Sequence, residues 1–416
     1  MRENMQAVLG VGVLVGLAWI LSEAREQVRW RVVVVGLVIQ LLLAFVLLRV
    51  PFFSEWLLLL NSVVHAIERA TMVGASFVFG YLSGGPQPFE VTAGGALYLF
   101  AFRVLPQILL FSVLVALFWY WRILPAVIRG FGAVLRRLMG ISGPLGTAAA
   151  SSVFLGMVET PLVVRAYLAS MSRSELFTVM TCGMSTVAGS IMVLYASVLL
   201  PVIPGALGHV LIASVINLIG AVFISRLMIP APAGVPAQAT ETGLHYSSNM
   251  DAITQGTADG LRLAVNVGAM VIVLVSLVAL VNQAFESVIV LGAPLTLERI
   301  MGWVFAPVAW LMGIPWAEAQ AAGALLGTKL ILNELVAYLQ LAALPEGTLS
   351  KDSVLVMTYG LCGFANFGSL GIMLGGLNTL VPERRSEILN IAPKTLISGT
   401  IVTCITGAVV ALAGLI

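Results

Sequence analysis

Residues 155–164, "LGMVETPLVV", set one carboxylate, Glu159, and one helix breaker, Pro161, inside a long apolar run. A charge at the centre of a membrane-inserted helix costs about 2.5 to 3.5 kcal/mol or more, so an intramembrane carboxylate is a functional residue by default. The chain around it supplies the membrane setting. Of its 416 residues, 60% are hydrophobic and only 10% are charged, a balance that a lipid-embedded chain explains and a water-soluble core does not need. Apolar segments near 5–21, 32–50, 98–121, 176–200, 206–228, 261–284, 354–377 and 395–416 each approach the roughly 20 residues that cross a bilayer. They predict an all-α integral membrane protein with about eight spans. The first segment runs straight into "SEAREQVRWR" with no small-residue cleavage site, which reads as a retained span.

Basic residues set the orientation, because loops rich in Lys and Arg stay cytoplasmic. Arg25, Arg29 and Arg31, then Arg122, Arg129, Arg136 and Arg137, then Arg165 and Arg173, then Arg384, Arg385 and Lys394 form four such clusters. The loops "LPVIPGALGH" (200–209) and 343–352 carry almost none, so both termini are expected to face outward. Cys182, Cys362 and Cys404 lie in apolar segments, and His65, His209 and His245 are scattered. Neither a disulfide framework nor a metal cluster is indicated.

Four stretches make poor spans. Residues 52–70 mix apolar positions with Glu55, Asn61, His65, Glu68 and Arg69, as an interfacial amphipathic helix does. Residues 298–316 are Trp-rich and interrupted by Pro307 and Pro315, as at an aromatic belt. Residues 136–175 and 318–347 carry Ala, Gly and Ser where lipid-facing helices carry Leu and Val, a composition suited to close helix packing. Each has polar residues at its centre, Glu159 in one and Asn333 with Glu334 in the other. Each centre is flanked by about half a span on either side. That pattern predicts two re-entrant hairpins, tolerated at membrane depth only inside protein or beside a wet cavity.

After each hairpin comes a similar segment, "SRSELFTVMTCGMSTVAGS" (172–190) and "SKDSVLVMTYGLCGFANFGS" (350–369). Aligned on "VMT", Gly183 faces Gly360, Val187 faces Phe364 and Ala188 faces Ala365. The two copies are expected to enter from opposite faces, as in the inverted repeats of secondary transporters, whose sites lie where broken helices meet. The expected organisation is a set of N-terminal spans with an interfacial helix over 1–130, and a first repeat over 131–228. That repeat holds a hairpin near 134–167 and a broken helix near 174–200. A Pro- and Ala-rich cytoplasmic linker over 229–255 and a scaffold span with interfacial helix over 256–316 come next. The second repeat covers 317–416, with a hairpin near 317–345 and a broken helix near 352–378.

Four stretches, "VFLGMVETPLVVR" (153–165), "SELFTVMTCGMSTVAGSIMVLYASV" (174–198), "GTKLILNELVAYLQL" (327–341) and "GLCGFANFGSLGIMLGG" (360–376), occur in the order and spacing of a known family. The chain resembles the concentrative nucleoside transporters over nearly its whole length. The resemblance implies a homotrimer in the plasma membrane, bacterial inner membrane included, that imports nucleosides by cation-coupled, elevator-like alternating access. It implies no enzymatic activity, no cofactor beyond the coupling ion and no nucleic-acid partner.

By the same resemblance, Asn333, Glu334, Asn366 and Ser369 grip the ribose, with Phe364 nearby. The base side of the family carries Gly-Gln-Thr-Glu, where this chain has Gly156, Met157, Val158 and Glu159. Met157 cannot reproduce the two-sided hydrogen bonding of an amide, so base contacts fall to Glu159 and to packing by Met157 and Ile191. The family's sodium site maps onto Ser152, Leu155, Val158, Thr186 and Val187. Val158 has lost a hydroxyl, and Ser152 stands where the family usually has Asn. Hard cations want a full set of oxygens, so sodium is slightly favoured and proton coupling through Glu159 stays open. So does a modified nucleoside or another ribose-bearing solute as substrate. A membrane-embedded hydrolase is disfavoured, because no Ser/His pair, HExxH helix or metal cluster accompanies the carboxylates.

Overall fold

The structure is a computed structural model and describes residues 2–49, 66–67, 69–90, 99–103, 105–157, 159–231, 246–290 and 292–415. Most of the interfacial segment 52–70 and of the linker, with His65 and His245, therefore lies outside the described residues. The regular structure among the described residues is helical apart from one short ribbon, in which Ile289–Val290 pairs antiparallel with Ala293–Pro294.

Among the described residues, five helices are long and apolar enough to cross a membrane: Trp30–Arg49, Ala101–Tyr120, Ala206–Met228, Asn249–Phe285 and Pro382–Gly414. The shorter apolar helix Arg2–Ile20 and two helices interrupted midway account for the other segments of the eight. The five divide by environment. Over an apolar 18-residue stretch of each, Ala206–Met228 and Pro382–Gly414 have 83% and 89% of their residues buried, whereas Asn249–Phe285 has 7%. The first two are central posts, and the last is a peripheral helix with most of its apolar surface uncovered. The posts carry the polar side chains a buried helix can satisfy internally. Gln40, itself buried, donates to the Ile216 carbonyl at 3.2 Å and to Thr406 Oγ1 at 3.1 Å.

Around these posts sit two hairpins and two broken helices. The first hairpin is Gly143–Ser152 packed on Glu159–Val163, and the second is Trp316–Ile331 packed on Glu334–Ala342. The first broken helix runs Arg173–Ser185 and resumes at Gly189–Leu199; the second runs Lys351–Leu361 and resumes at Phe367–Leu380. Both leading halves pack against the same two central posts, and Thr181 and Ser398 hydroxyls meet at 2.8 Å on one of those contacts.

Local chemistry explains where the helices start and stop. Ser172 accepts from the Glu175 N–H while Glu175 accepts from the Ser172 N–H, a reciprocal capping box at the start of the first broken helix. Asn333 and Asn366 cap the trailing halves in the second repeat, accepting from Val336 N–H at 2.9 Å and Ser369 N–H at 2.7 Å. At the second helix break a side chain takes up a freed carbonyl, as a low-dielectric setting favours: Asn217 Nδ2 donates to the Cys362 carbonyl at 2.6 Å. Gly363, at φ 148°, lets the second break lie against the first, since a Cβ there would fall 2.6 Å from the Ser185 carbonyl oxygen.

The segment 298–316 is the helix Leu297–Leu311, followed after a 117° bend by the first limb of the second hairpin. Gly323 of that limb comes so close that a Cβ would meet the Ala306 nitrogen at 2.7 Å. At one end of the molecule, three of the loops that carry charge come together. Glu23 binds Arg173 at 2.9 Å and Lys394 at 2.6 Å, and Arg384 donates to the carbonyls of Leu168 and Met171. The hydrogen bond from Arg173, with Lys394 adding to it, holds the Glu23 carboxyl down at about 2.

Candidate substrate and cation site

The two hairpin breaks and the two helix breaks converge on one cavity of about 230 Å³. Met157, Ile191, Asn333, Glu334, Phe364, Asn366 and Ser369 all line it. Glu334 sits in the first turn of the second hairpin's second limb, immediately after the capping Asn333. Its backbone position therefore places the carboxylate at the positive end of a helix dipole. The side chain is 4% exposed, a burial tolerable for a carboxylate only with partners. Tyr195 Oη donates to Glu334 Oε1, and Asn366 Nδ2 donates to Oε2 at 2.9 Å.

That arrangement leaves a specific set of unused valences. A carboxylate offers about four acceptor positions, and these two bonds occupy one on each oxygen. Asn366 uses one of its two amide hydrogens on Glu334 and its oxygen on the Ser369 N–H. The Asn333 oxygen is committed to its own cap, which leaves its amide hydrogens. Acceptors on Glu334 thus lie next to donors on Asn333, Asn366 and the Ser369 hydroxyl, the complement of a vicinal diol.

The rest of the wall is apolar. Met157, Ala188, Ile191, Leu194 and Leu263 line it, and Asn266 on the peripheral helix Asn249–Phe285 is the polar residue among them. Val158 and the Glu159 side chain lie outside the described part of the structure; the Glu159 backbone begins the second limb of the first hairpin.

Tyr195 was missed by sequence reasoning, although it stands four residues after Ile191 and so on the same helix face. Its ring lies 5.1 Å from that of Tyr338, whose hydroxyl donates to the Thr358 carbonyl at 2.8 Å. These contacts hold the tyrosine that orients Glu334. Asn266 was missed too; a polar residue amid "LAVNVGAM" was its visible trace.

Of the residues expected to hold a cation, Ser152 and Thr186 meet between the first hairpin and the first helix break. Thr186 Oγ1 stands 2.8 Å from the Ser152 carbonyl and 2.9 Å from the Cys182 carbonyl, bridging hairpin to helix. The Ser152 hydroxyl instead turns back on its own helix, donating to the Ala149 carbonyl at 2.8 Å. Ser152 is therefore arranged to offer its backbone oxygen rather than its side chain. Leu155 and Val187 lie in the two non-helical stretches, after Ser152 and after Ser185. There a carbonyl can turn toward an ion, because it is not required by a helical ladder. Gly189 N–H donates to the Phe154 carbonyl at 2.9 Å, fixing one break on the other. The oxygens gathered at this contact, Thr186 Oγ1 and the Ser152 and Cys182 carbonyls, are all neutral.

Three family models match the chain in succession. The "Na+ dependent nucleoside transporter N-terminus" matches residues 9–82, "Nucleoside recognition" residues 101–201, and the "Na+ dependent nucleoside transporter C-terminus" residues 209–411. The nucleoside permease NupC of Helicobacter pylori is 33% identical over 405 residues, covering 96% of this chain and 95% of its own. Solute carrier family 28 member 3 of Homo sapiens is 31% identical over 431 residues, 98% of this chain and 60% of the larger protein. The structure of CNTnw in an inward-facing substrate-bound state superposes with a TM-score of 0.91 at 33% identity, covering 99% of this chain and 98% of that one. A CNTnw variant in an outward-facing state gives 0.90 at 33% identity, covering 100% and 99%. With identity above 30% from end to end and all three models in order, the chain belongs to the concentrative nucleoside transporter family.

Proposed function

We propose that the chain is a secondary active symporter that imports nucleosides by alternating access, driven by a monovalent cation. The observation that carries this reading is the Glu334 carboxylate held by Tyr195 and Asn366 beside the donors of Asn333 and Ser369. A ribose diol satisfies that set, and a solute without one leaves buried polar groups unpaired. The relatives support the substrate class, being a nucleoside permease and a substrate-bound CNTnw. The likeness to both inward-facing and outward-facing CNTnw supports alternating access.

In this reading Met157, Ile191 and Leu263 form an apolar slot for the base, and the resemblance assigns Val158 and Glu159 to the base as well. Asn266 then supplies the polar edge that Met157 lacks. Leu155, Thr186, Val187 and the Ser152 carbonyl receive the coupling ion as co-substrate, sodium ahead of protons. One monovalent charge moving down 100 mV supplies about 2.3 kcal/mol, or roughly 50-fold accumulation. The moving body comprises both re-entrant hairpins and both broken helices. It slides elevator-fashion past the scaffold helices Leu105–Tyr120 and Asn249–Phe285, the latter with its uncovered apolar surface at a homotrimer interface.

Uptake of radiolabelled uridine and adenosine into proteoliposomes, under an inward sodium or an inward proton gradient at matched potential, tests the coupling. Sodium-driven uptake of both is the expected result. Uptake driven by protons alone moves the coupling to a carboxylate, Glu159 being the natural carrier. Absence of uptake under both gradients, with uptake of a modified nucleoside, favours the altered-substrate reading that the unusual Met157 and Val158 allow.

A further inference from the structure

Lys329 does not line the cavity described above, yet it is 2% exposed and lies on the first limb of the second hairpin, five residues before Glu334. A buried ammonium is costly unless its hydrogens are taken up. Its partners are neutral oxygens: Nζ donates to the Gly360 carbonyl at 2.9 Å and to Thr403 Oγ1 at 2.7 Å. Gly360 lies in the last turn of Lys351–Leu361, where helix carbonyls lack intrahelical partners and the dipole is negative. The ammonium thus ties the hairpin both to the end of the second leading half-helix and to the post Pro382–Gly414.

The first repeat has the same parts without the ammonium. There the first limb of the hairpin faces the end of Arg173–Ser185, and the Ser152 carbonyl, Thr186 hydroxyl and Cys182 carbonyl cluster between them. Gly183, the repeat partner of Gly360 in the "VMT" alignment, occupies that helix end. One hairpin therefore meets its helix end through a lysine, and the other meets it through oxygens alone.

We propose that the Lys329 ammonium is a resident cation, standing in the second repeat where the first repeat receives the coupling ion. It holds the ribose-gripping hairpin closed on its helix end without any ion, so transport draws on a single exchangeable cation, taken by the first repeat. This rests on the cation position proposed above.

The test is uridine binding to purified full-length protein by calorimetry, with sodium chloride varied against choline chloride. Three variants are compared: Lys329→Met, which keeps reach without charge; Lys329→Ala, which leaves room; and Thr403→Val, which removes one of the two oxygens. Lys329→Met is expected to bind uridine roughly 10-fold more weakly or worse. Lys329→Ala is expected to lose affinity likewise and to regain it with added n-propylammonium or high sodium, but not choline. Thr403→Val carries the test if neither lysine variant folds, with a loss of roughly 3- to 10-fold expected.

Uridine affinity within two-fold of wild type in Lys329→Met, or in Thr403→Val when only that variant folds, overturns the proposal. So does a loss in Lys329→Ala that no small cation relieves, since that marks a packing role. The wild-type titration judges the underlying reading separately. Uridine affinity indifferent to both sodium and pH removes the first-repeat cation site, and with it the equivalence. A cation-dependent wild type with indifferent lysine variants removes only the resident cation.

Discussion

The two hairpins differ most where they break. In the second, two residues separate the limbs, and Asn333, Glu334 and Asn366 are fixed by caps and by each other. In the first, six residues separate Ser152 from Glu159, and Met157 stands among them. A short, capped break presents a rigid set of donors and acceptors, because each side chain already has one bond that fixes its rotamer. A longer break with apolar side chains offers shape and backbone oxygens instead. On the function proposed above, the duplicated architecture gives hydroxyl recognition to one repeat and the base and cation surface to the other.

The comparison is broken most severely at Glu334. Glu334→Gln replaces two acceptor oxygens with one and sets an N–H against a donor, so uridine and adenosine affinity should both fall about 100-fold or more; equilibrium binding of the two nucleosides checks it. Tyr195→Phe removes one charge-assisted bond and leaves the carboxylate under-partnered, for a loss of roughly 10-fold that should also be equal for both nucleosides. Met157→Gln acts on the other repeat. It should change the ratio of uridine to adenosine affinity by roughly 10-fold in one direction, while the penalty for removing the ribose hydroxyls stays unchanged. Equal losses from Met157→Gln and Glu334→Gln across all bases would erase the division of labour.

The smallest effect is expected away from the cavity, at Glu23. Because Arg173 and Lys394 hold this carboxyl down at about 2, below its unfolded value, the tie is intact at neutral pH. It is lost as pH falls from about 4.5 toward 2. Exposed pairs of this kind contribute about 1 kcal/mol or less. Glu23→Gln should therefore lower the melting temperature slightly at pH 7, and the difference from wild type should vanish in acid.

Much of this was legible in the sequence, because membranes enforce simple rules. Charges amid apolar runs, and small residues where leucine belongs, marked the breaks at Glu159 and Glu334 before any geometry was known. What was not legible is what side chains do across long sequence separations. Tyr195 and Glu334 are 139 positions apart, and Lys329 and Thr403 are 74 apart. No periodicity links such pairs. Gln40 is a further case: it reads as an odd polar residue in a span until its bonds to Ile216 and Thr406 appear. Ser152 teaches a finer limit. The resemblance maps it onto the cation site, but in an α-helix a serine readily bonds a carbonyl of the preceding turn, and here it does so at Ala149.

The division between the repeats is tested most directly by titrating the wild-type protein with uridine, adenosine, 2′,3′-dideoxyuridine and free uracil under one salt condition. The predicted result is that uridine and adenosine bind within roughly 10-fold of each other, while dideoxyuridine and uracil are weaker by about 100-fold or more. Uracil or dideoxyuridine binding as tightly as uridine would contradict the account, because Glu334 and its partners would then not be gripping a ribose.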